Sequence, residues 1–469
     1  MSMKTDKRTL SVALLLALAL GGCSLAPGFN RPMAPIAAVL PGTTVAGQAE
    51  VQAADLGWQE FFADARLQTI IGMALANNRD LRETALNVEA YQAQYRIQRA
   101  PLLPAVNGGG GYVKQRTMSG SGYATGEAYS ASVGITAWEL DFFGRIRSLR
   151  DQALEEYLAM EENRRGAHIS LVAEVARAYL TWLADRQLLA ITEDTAATEQ
   201  ASYDLIKRRF EEGVATRIDL AQAQTSLQTA RANLSQYRRM VEQDENLLTL
   251  LAGGPLPGDL PPSTDLAEQA LLGPVPSGLH SDLLLQRPDI MAAEHGLRAA
   301  NASIGAARAA FLPAISLTAD AGVMSADAAD LFDGDSGTWL FAPSIRLPIF
   351  TGGRLSAQLD LAEIRKEIAV TRYEKAIQTA FRETADALAG IGTFAEQLQA
   401  AELGLQANQT YYALARERYD QGVDSYLVLL DAQRSLYRAR QSVVVIRLAM
   451  LANKVNLYKV LGGGWKAKS

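Results

Sequence analysis

Of 469 residues only Cys23 is a cysteine, so no disulfide forms within the chain and no structural metal site can be built from thiolates. Histidine is nearly as scarce. His168, His280 and His295 are scattered and show no ligand spacing, such as two histidines four apart with a glutamate between them. No metal, no cofactor and no catalytic cluster is expected, and the chain does not read as an enzyme. There is no basic excess either: 45 lysines and arginines face 51 acids, which argues against nucleic acid as a partner. Prolines number 16, and none falls in 145–212 or in 354–421, each of which can therefore form a helix of roughly 100 Å. Gly352-Gly353-Arg354 lacks the Lys-Ser/Thr of a phosphate loop, so a turn that needs glycine explains it better than nucleotide binding.

The first residues have a leader layout. Lys4, Lys7 and Arg8 precede an apolar run over 10–20 that is too short to span a bilayer as a helix, and Gly21-Gly22-Cys23 follows. Leu20-Gly21-Gly22-Cys23 resembles the bacterial lipobox, which makes Cys23 the lipidation site and the first mature residue. Removal of 1–22 takes away three bases and Asp6, so the net charge goes from −6 to −8. Several acyl chains at about 0.8 kcal/mol per buried CH2 would give a lasting peripheral anchor.

The rest of the chain is a tandem duplication at a spacing of 209. Without gaps, Arg99 matches Arg308, Pro104 matches Pro313 and Gly144-Arg145 matches Gly353-Arg354. Gly213 likewise matches Gly422, Gln224 matches Gln433, Arg231 matches Arg440 and Gly253 matches Gly462. A repeat this long means one half-fold used twice. Each copy reads as a helix (about 64–100 or 281–310), two strands, the long helix, a glycine turn, and a helix of some 39 residues. The shorter helices stacked end to end equal the long one, giving two columns per copy.

Between the helices the period changes to two. In 314–323, Ile315, Leu317, Ala319, Ala321 and Val323 alternate with Ser316, Thr318, Asp320 and Gly322. Residues 129–136 and 339–347 alternate similarly, while 105–115, with Gly108 to Gly111, is the weakest case. Four strands of about ten residues suit an outer membrane but are too few to close a barrel, so closure needs more than one chain. A small soluble sheet covering one end of a helical bundle fits the periodicity as well.

Taken together, these residues resemble the TolC-type outer-membrane efflux proteins, in the lipoprotein branch that serves RND pumps. The carriers are Gly21-Gly22-Cys23, Trp58 with Phe61-Phe62 and Asp64, Asn78-Arg79-Asp80-Leu81, Asp141-Phe142-Phe143-Gly144-Arg145, Pro348 to Arg354, and Gly422 with Leu430-Asp431-Ala432-Gln433. The resemblance implies a mainly α fold with a β-barrel contribution: a homotrimer with a long α-helical barrel and an outer-membrane β-barrel of four strands per chain. It implies a lipid-anchored exit duct for drugs or other small solutes, with a periplasmic adaptor and an inner-membrane RND pump as partners. Metal efflux or type I protein secretion is the alternative. The segments expected are a signal peptide (1–22), an N-terminal arm (23–63), a first repeat (64–254), a connector (255–280), a second repeat (281–463) and a tail (464–469).

Gly213 and Gly422 are then helix-tip turns, and Gly144, Arg145, Gly353 and Arg354 are strand-to-helix turns. Asp424, Leu427 and Asp431, spaced i, i+3 and i+7, are expected on one helix face, where three copies would form acidic rings around a leucine ring. Crowding should raise some of these carboxyl pKa values. The family's closed tip implies Leu427 and Asp431 for the constriction and Tyr419 with Asp219 for a tether.

Overall fold

The computed structural model describes residues 24–37, 40, 56–120, 122–269, 271 and 281–463. Cys23, the leader and the tail lie outside them, as do parts of the arm and connector. The helices are α1 (Trp58–Phe61), α2 (Ala65–Asn77), α3 (Arg79–Arg99), α4 (Arg145–Glu211), α5 (Arg217–Ala252), α6 (Pro288–Ala309), α7 (Arg354–Asp420) and α8 (Tyr426–Val460). The strands are β1 (Val106–Ser119), β2 (Gly122–Leu140), β3 (Ala314–Ser325) and β4 (Gly337–Arg346). Helices α4 and α7 have 67 residues each and begin 209 positions apart, so the duplication in sequence is one in structure.

Two compact units divide the chain. One holds the strands, with Asn87–Glu161 and Met291–Lys375; the other holds Glu162–Ile290 and Ala376 onward, with 56–86 among its described residues. Both long helices begin in the first unit and end in the second.

In the strand unit the order is β1-β2-β3-β4, every pair antiparallel. The pairing sets Val106, Ile135, Ala319 and Phe341 on one face, and Asn107, Gly134, Asp320 and Leu340 on the other. Trp339, Phe341 and Ile345 extend the first face and are largely exposed; Ser132, Ser316 and Ser344 extend the second. Alternation thus gives β3 and the second half of β2 one largely apolar and one largely polar face, while β1 adds Arg116 and Lys114, paired with Glu127, to the first face. A bulge between Ile135 and Trp138 adds one residue to β2, and Ala137 there has φ 49°. Its N–H leaves the ladder and donates to Thr318 Oγ1 at 3.1 Å. β1 and β4 have no strand on their outer sides among the described residues.

The helical unit has its main core where α1 and α2 pack on the middle of α4 and the ends of α5 and α8. Phe62, Leu67, Ile70, Val175, Tyr179, Leu180, Leu248 and Val455 are buried there. The Phe61 and Tyr458 rings stack with centroids 4.0 Å apart, and the Tyr458 hydroxyl donates to Leu56 O at 2.6 Å. Asp64 is the polar centre. It caps α2 by accepting from Leu67 N at 3.0 Å, and it also accepts from the Tyr179 hydroxyl, Gln269 Nε2 and Thr264 N.

Two helix expectations are corrected. The stretch 64–100 is not one helix, because Asn78 accepts from Leu81 N at 3.0 Å and donates to Leu251 O at 3.1 Å, capping α3 while breaking it from α2. The stretch 281–310 begins as a 3-10 turn over Ser281–Gln286. Pro288 then restarts it as α6, since proline disfavours helical backbone in the residue before it and suits a first helical position.

Candidate functional site

Two places carry the expected chemistry, and each lies within one unit. In the strand unit the strand-to-helix turns use glycine for positive φ: 72° at Gly144, 60° at Gly352 and 83° at Gly353. The first turn is also tied by charge. Asp141 accepts from Ile146 N, Arg147 N and Arg147 Nε at 2.9–3.1 Å, neutralising the start of α4. Arg145 holds Glu139 at 2.8 and 2.6 Å through both oxygens, and that hydrogen bonding keeps the guanidinium pKa above its usual value. The second turn has no such acid. Arg354 Nη1 instead donates to Gln358 at 3.1 Å on the helix it opens. The Asp-Phe-Phe-Gly-Arg run is therefore a structural clamp at a β-to-α junction.

In the helical unit the two glycine turns are near copies. Gly213 has φ 77° and Gly422 has φ 75°. Val214 N donates to Arg209 O at 2.8 Å and Val423 N to Arg418 O at 2.9 Å, 209 positions apart. The turns differ in their side chains. Thr216 and Asp219 form a reciprocal capping box at the start of α5, whereas Ser425 makes no such bond at the start of α8. Arg418 instead reaches across its own turn to Asp424, at 2.7 and 3.0 Å. Arg209 occupies the matching place but faces Ala215 where Arg418 has Asp424, and it donates to the Tyr419 hydroxyl at 2.7 Å. Beneath the turns Ile206, Ala223, Tyr419, Tyr426, Leu429 and Leu430 form a second core. Val214, Ile218, Val423 and Leu427 are all more than half exposed.

One expectation changes at this site. Asp424 does not share a helix face with Leu427 and Asp431, because it lies in the turn before α8. Within one chain the hydrogen bond from Arg418 holds its carboxyl below the ordinary range. Within one chain Arg209 donates to the Tyr419 hydroxyl and the Thr216 hydroxyl donates to the Asp219 carboxylate. Leu427 and Asp431 are both exposed on α8, one turn apart, and the Tyr411 hydroxyl of α7 donates to Asp431 at 3.2 Å. Arg209, Arg418 and Tyr411 were missed. The signal for the arginines was the repeat itself, which places them at one equivalent position on the last turn of each long helix.

The profile of the outer membrane efflux protein family matches residues 70–254 and again 279–463. The chain belongs to that family. The two matches are offset by 209, the spacing of the internal repeat. Relatives include the probable efflux pump outer membrane protein TtgC of Pseudomonas putida, 53% identical over 98% of this chain and 96% of its own length. OprJ of Pseudomonas aeruginosa is 43% identical over 97% of this chain and 95% of its own. Among solved structures, the open-state MtrE channel of Neisseria gonorrhoeae superposes with TM-score 0.86 at 38% identity, covering 95% of this chain and 99% of that one.

Proposed function

We propose that three copies of this chain form the outer-membrane exit duct of a tripartite RND-type efflux system. The observation that carries this reading is the sheet of four strands with one largely apolar face and two outer edges that no described strand covers. An uncovered edge cannot stay in a bilayer, and four strands cannot close on themselves, so β4 of one copy must pair with β1 of the next. The long helices supply the tunnel wall in the periplasm, and the sheet spans the outer membrane. Export is passive, with energy from an inner-membrane pump joined through a periplasmic adaptor. Acylated Cys23 anchors each copy. Relatives named for toluene and antibiotic efflux support apolar solvents and antibiotics as the solute class.

The entrance gate lies at the two glycine turns. Asp431, held by Tyr411, and Leu427 face the pore, and the Arg418–Asp424 pair fixes the turn that presents them. The exposed Val214, Ile218 and Val423 are the surface that neighbouring copies and the adaptor cover. Planar-bilayer recording tests the gate. Tyr411→Phe combined with Asp431→Ala should raise conductance or open probability, and an unchanged channel removes these residues from the gate. Loss of the gene should raise susceptibility to solvents or antibiotics, and an unchanged profile removes the solute assignment.

A further inference from the structure

In the helical unit one buried row on α4 meets α8, where Thr192 Oγ1 lies 2.9 Å from the Tyr437 hydroxyl and Glu199 feels Arg434, and meets α5 at Asp185. On α4, Asp185, Thr192, Glu199 and Ile206 recur every seven residues and are all buried. One face of the helix thus carries two carboxyl groups where a helix seam ordinarily carries apolar side chains. Asp185, only 4% exposed, shares a hydrogen bond with Asp244 of α5. The buried Asp244 Oδ2 accepts no hydrogen bond from any donor. A proton on Asp244, donated to Asp185, removes the repulsion between two carboxylates.

The neighbours leave the pair uncompensated. Asp185 and Glu245 are the charges that bear on Asp244, and both are negative. Tyr237, seven residues before Asp244 on α5, accepts from Gln441 Nε2 of α8 at 3.0 Å, and Tyr437 of α8 faces it. No lysine or arginine among the described residues shifts either carboxyl. Trp182, one turn before Asp185, donates its indole N–H to Glu245 at 3.2 Å.

We propose that Asp185 and Asp244 form a proton-operated latch between α4 and α5, closed while the pair holds one proton and released when that proton leaves. Burial first, and then the Asp185 charge, push Asp244 up to about 7. The ordinary aspartate value is about 3.9. A raised carboxyl pKa contributes stability that is full below the unfolded value and is lost as pH rises through the folded one. The seam is therefore tightest in acid and loosens towards alkaline pH. The latch concerns contacts inside one chain, so it stands or falls separately from the duct assignment.

The test uses the full chain purified in detergent, with the infrared carbonyl band of protonated carboxyl groups followed across pH. The wild type should lose a band with a midpoint near about 7, and its thermal midpoint should fall as pH rises from about 4 to about 7. Amide exchange over 237–248 of α5, corrected for chemical rate, should rise above that midpoint. Asp244→Asn keeps a hydrogen-bond donor towards Asp185 and should abolish all three responses. If Asp244→Asn fails to fold, Asp185→Asn carries the test and should move the midpoint down by more than about one unit. A missing band, a midpoint below about 5, or a response unchanged in the variant that folds overturns the latch.

Discussion

Replacing Asp64 by alanine removes one acceptor from four donors. The side chain caps α2 through Leu67 N, takes the Tyr179 hydroxyl at 3.0 Å and Gln269 Nε2 at 2.8 Å, and lies 3.3 Å from Thr264 N. Loss of an N-cap costs about 1 kcal/mol. Tyr179 is fully buried, so its stranded hydroxyl costs about 1–3 kcal/mol more. Gln269 keeps its second bond, to Thr264 O, and adds about 1 kcal/mol. The sum is about 3–5 kcal/mol, which denaturant unfolding of the purified protein resolves. The double variant Asp64→Ala with Tyr179→Phe should recover about 1–2 kcal/mol, because no hydroxyl is then left unpaired. A single-variant loss under about 1 kcal/mol, or no recovery in the double variant, refutes the reasoning.

Acid should weaken both units. Burial pushes the Asp64 carboxyl up, but its four donors outweigh burial and hold it below the ordinary range, and Arg31 with Arg298 do the same for Glu294. Depressed carboxyl pKa values contribute stability above the unfolded value of about 4 and lose it as pH falls further, so the unfolding midpoint should drop below about pH 4. Arg287 is mostly buried between Asp289, Glu383 and Val460 O. Arg287→Ala should cost about 1–3 kcal/mol in the same unfolding assay, by leaving Val460 O without this donor, while the partly exposed Asp289 and Glu383 keep solvent. A side chain at Gly322 would drive its Cβ into Ala131 O, so Gly322→Val should cost about 3 kcal/mol and reduce the yield of assembled protein in membranes.

The repeat, the long helices and the glycine turns were legible because covalent rules govern them: missing prolines, positive φ and a spacing that needs no gap. β3 was legible because its alternation of apolar and polar residues is unbroken. β1 was faint because Gly108 to Gly111 give the apolar face almost no side chains, and β2 was read short because the bulge at Ala137 interrupts its period. Asn78 hides a helix break, since its partner Leu251 lies 173 positions away. The contacts at the two helix-tip turns were the least legible part. Arg209 and Arg418 are the same residue at equivalent positions, yet one pairs with Tyr419 and the other with Asp424, a difference decided by what each turn places opposite. The acidic layer on α4 was invisible for the same reason, because Asp185 meets Asp244 across 59 residues.

The shared barrel is tested most directly by the native mass of the mature chain extracted from outer membranes in mild detergent. Closure of β4 on β1 of the next copy predicts three chains per particle. A single chain that stays monodisperse when the detergent is removed would contradict it.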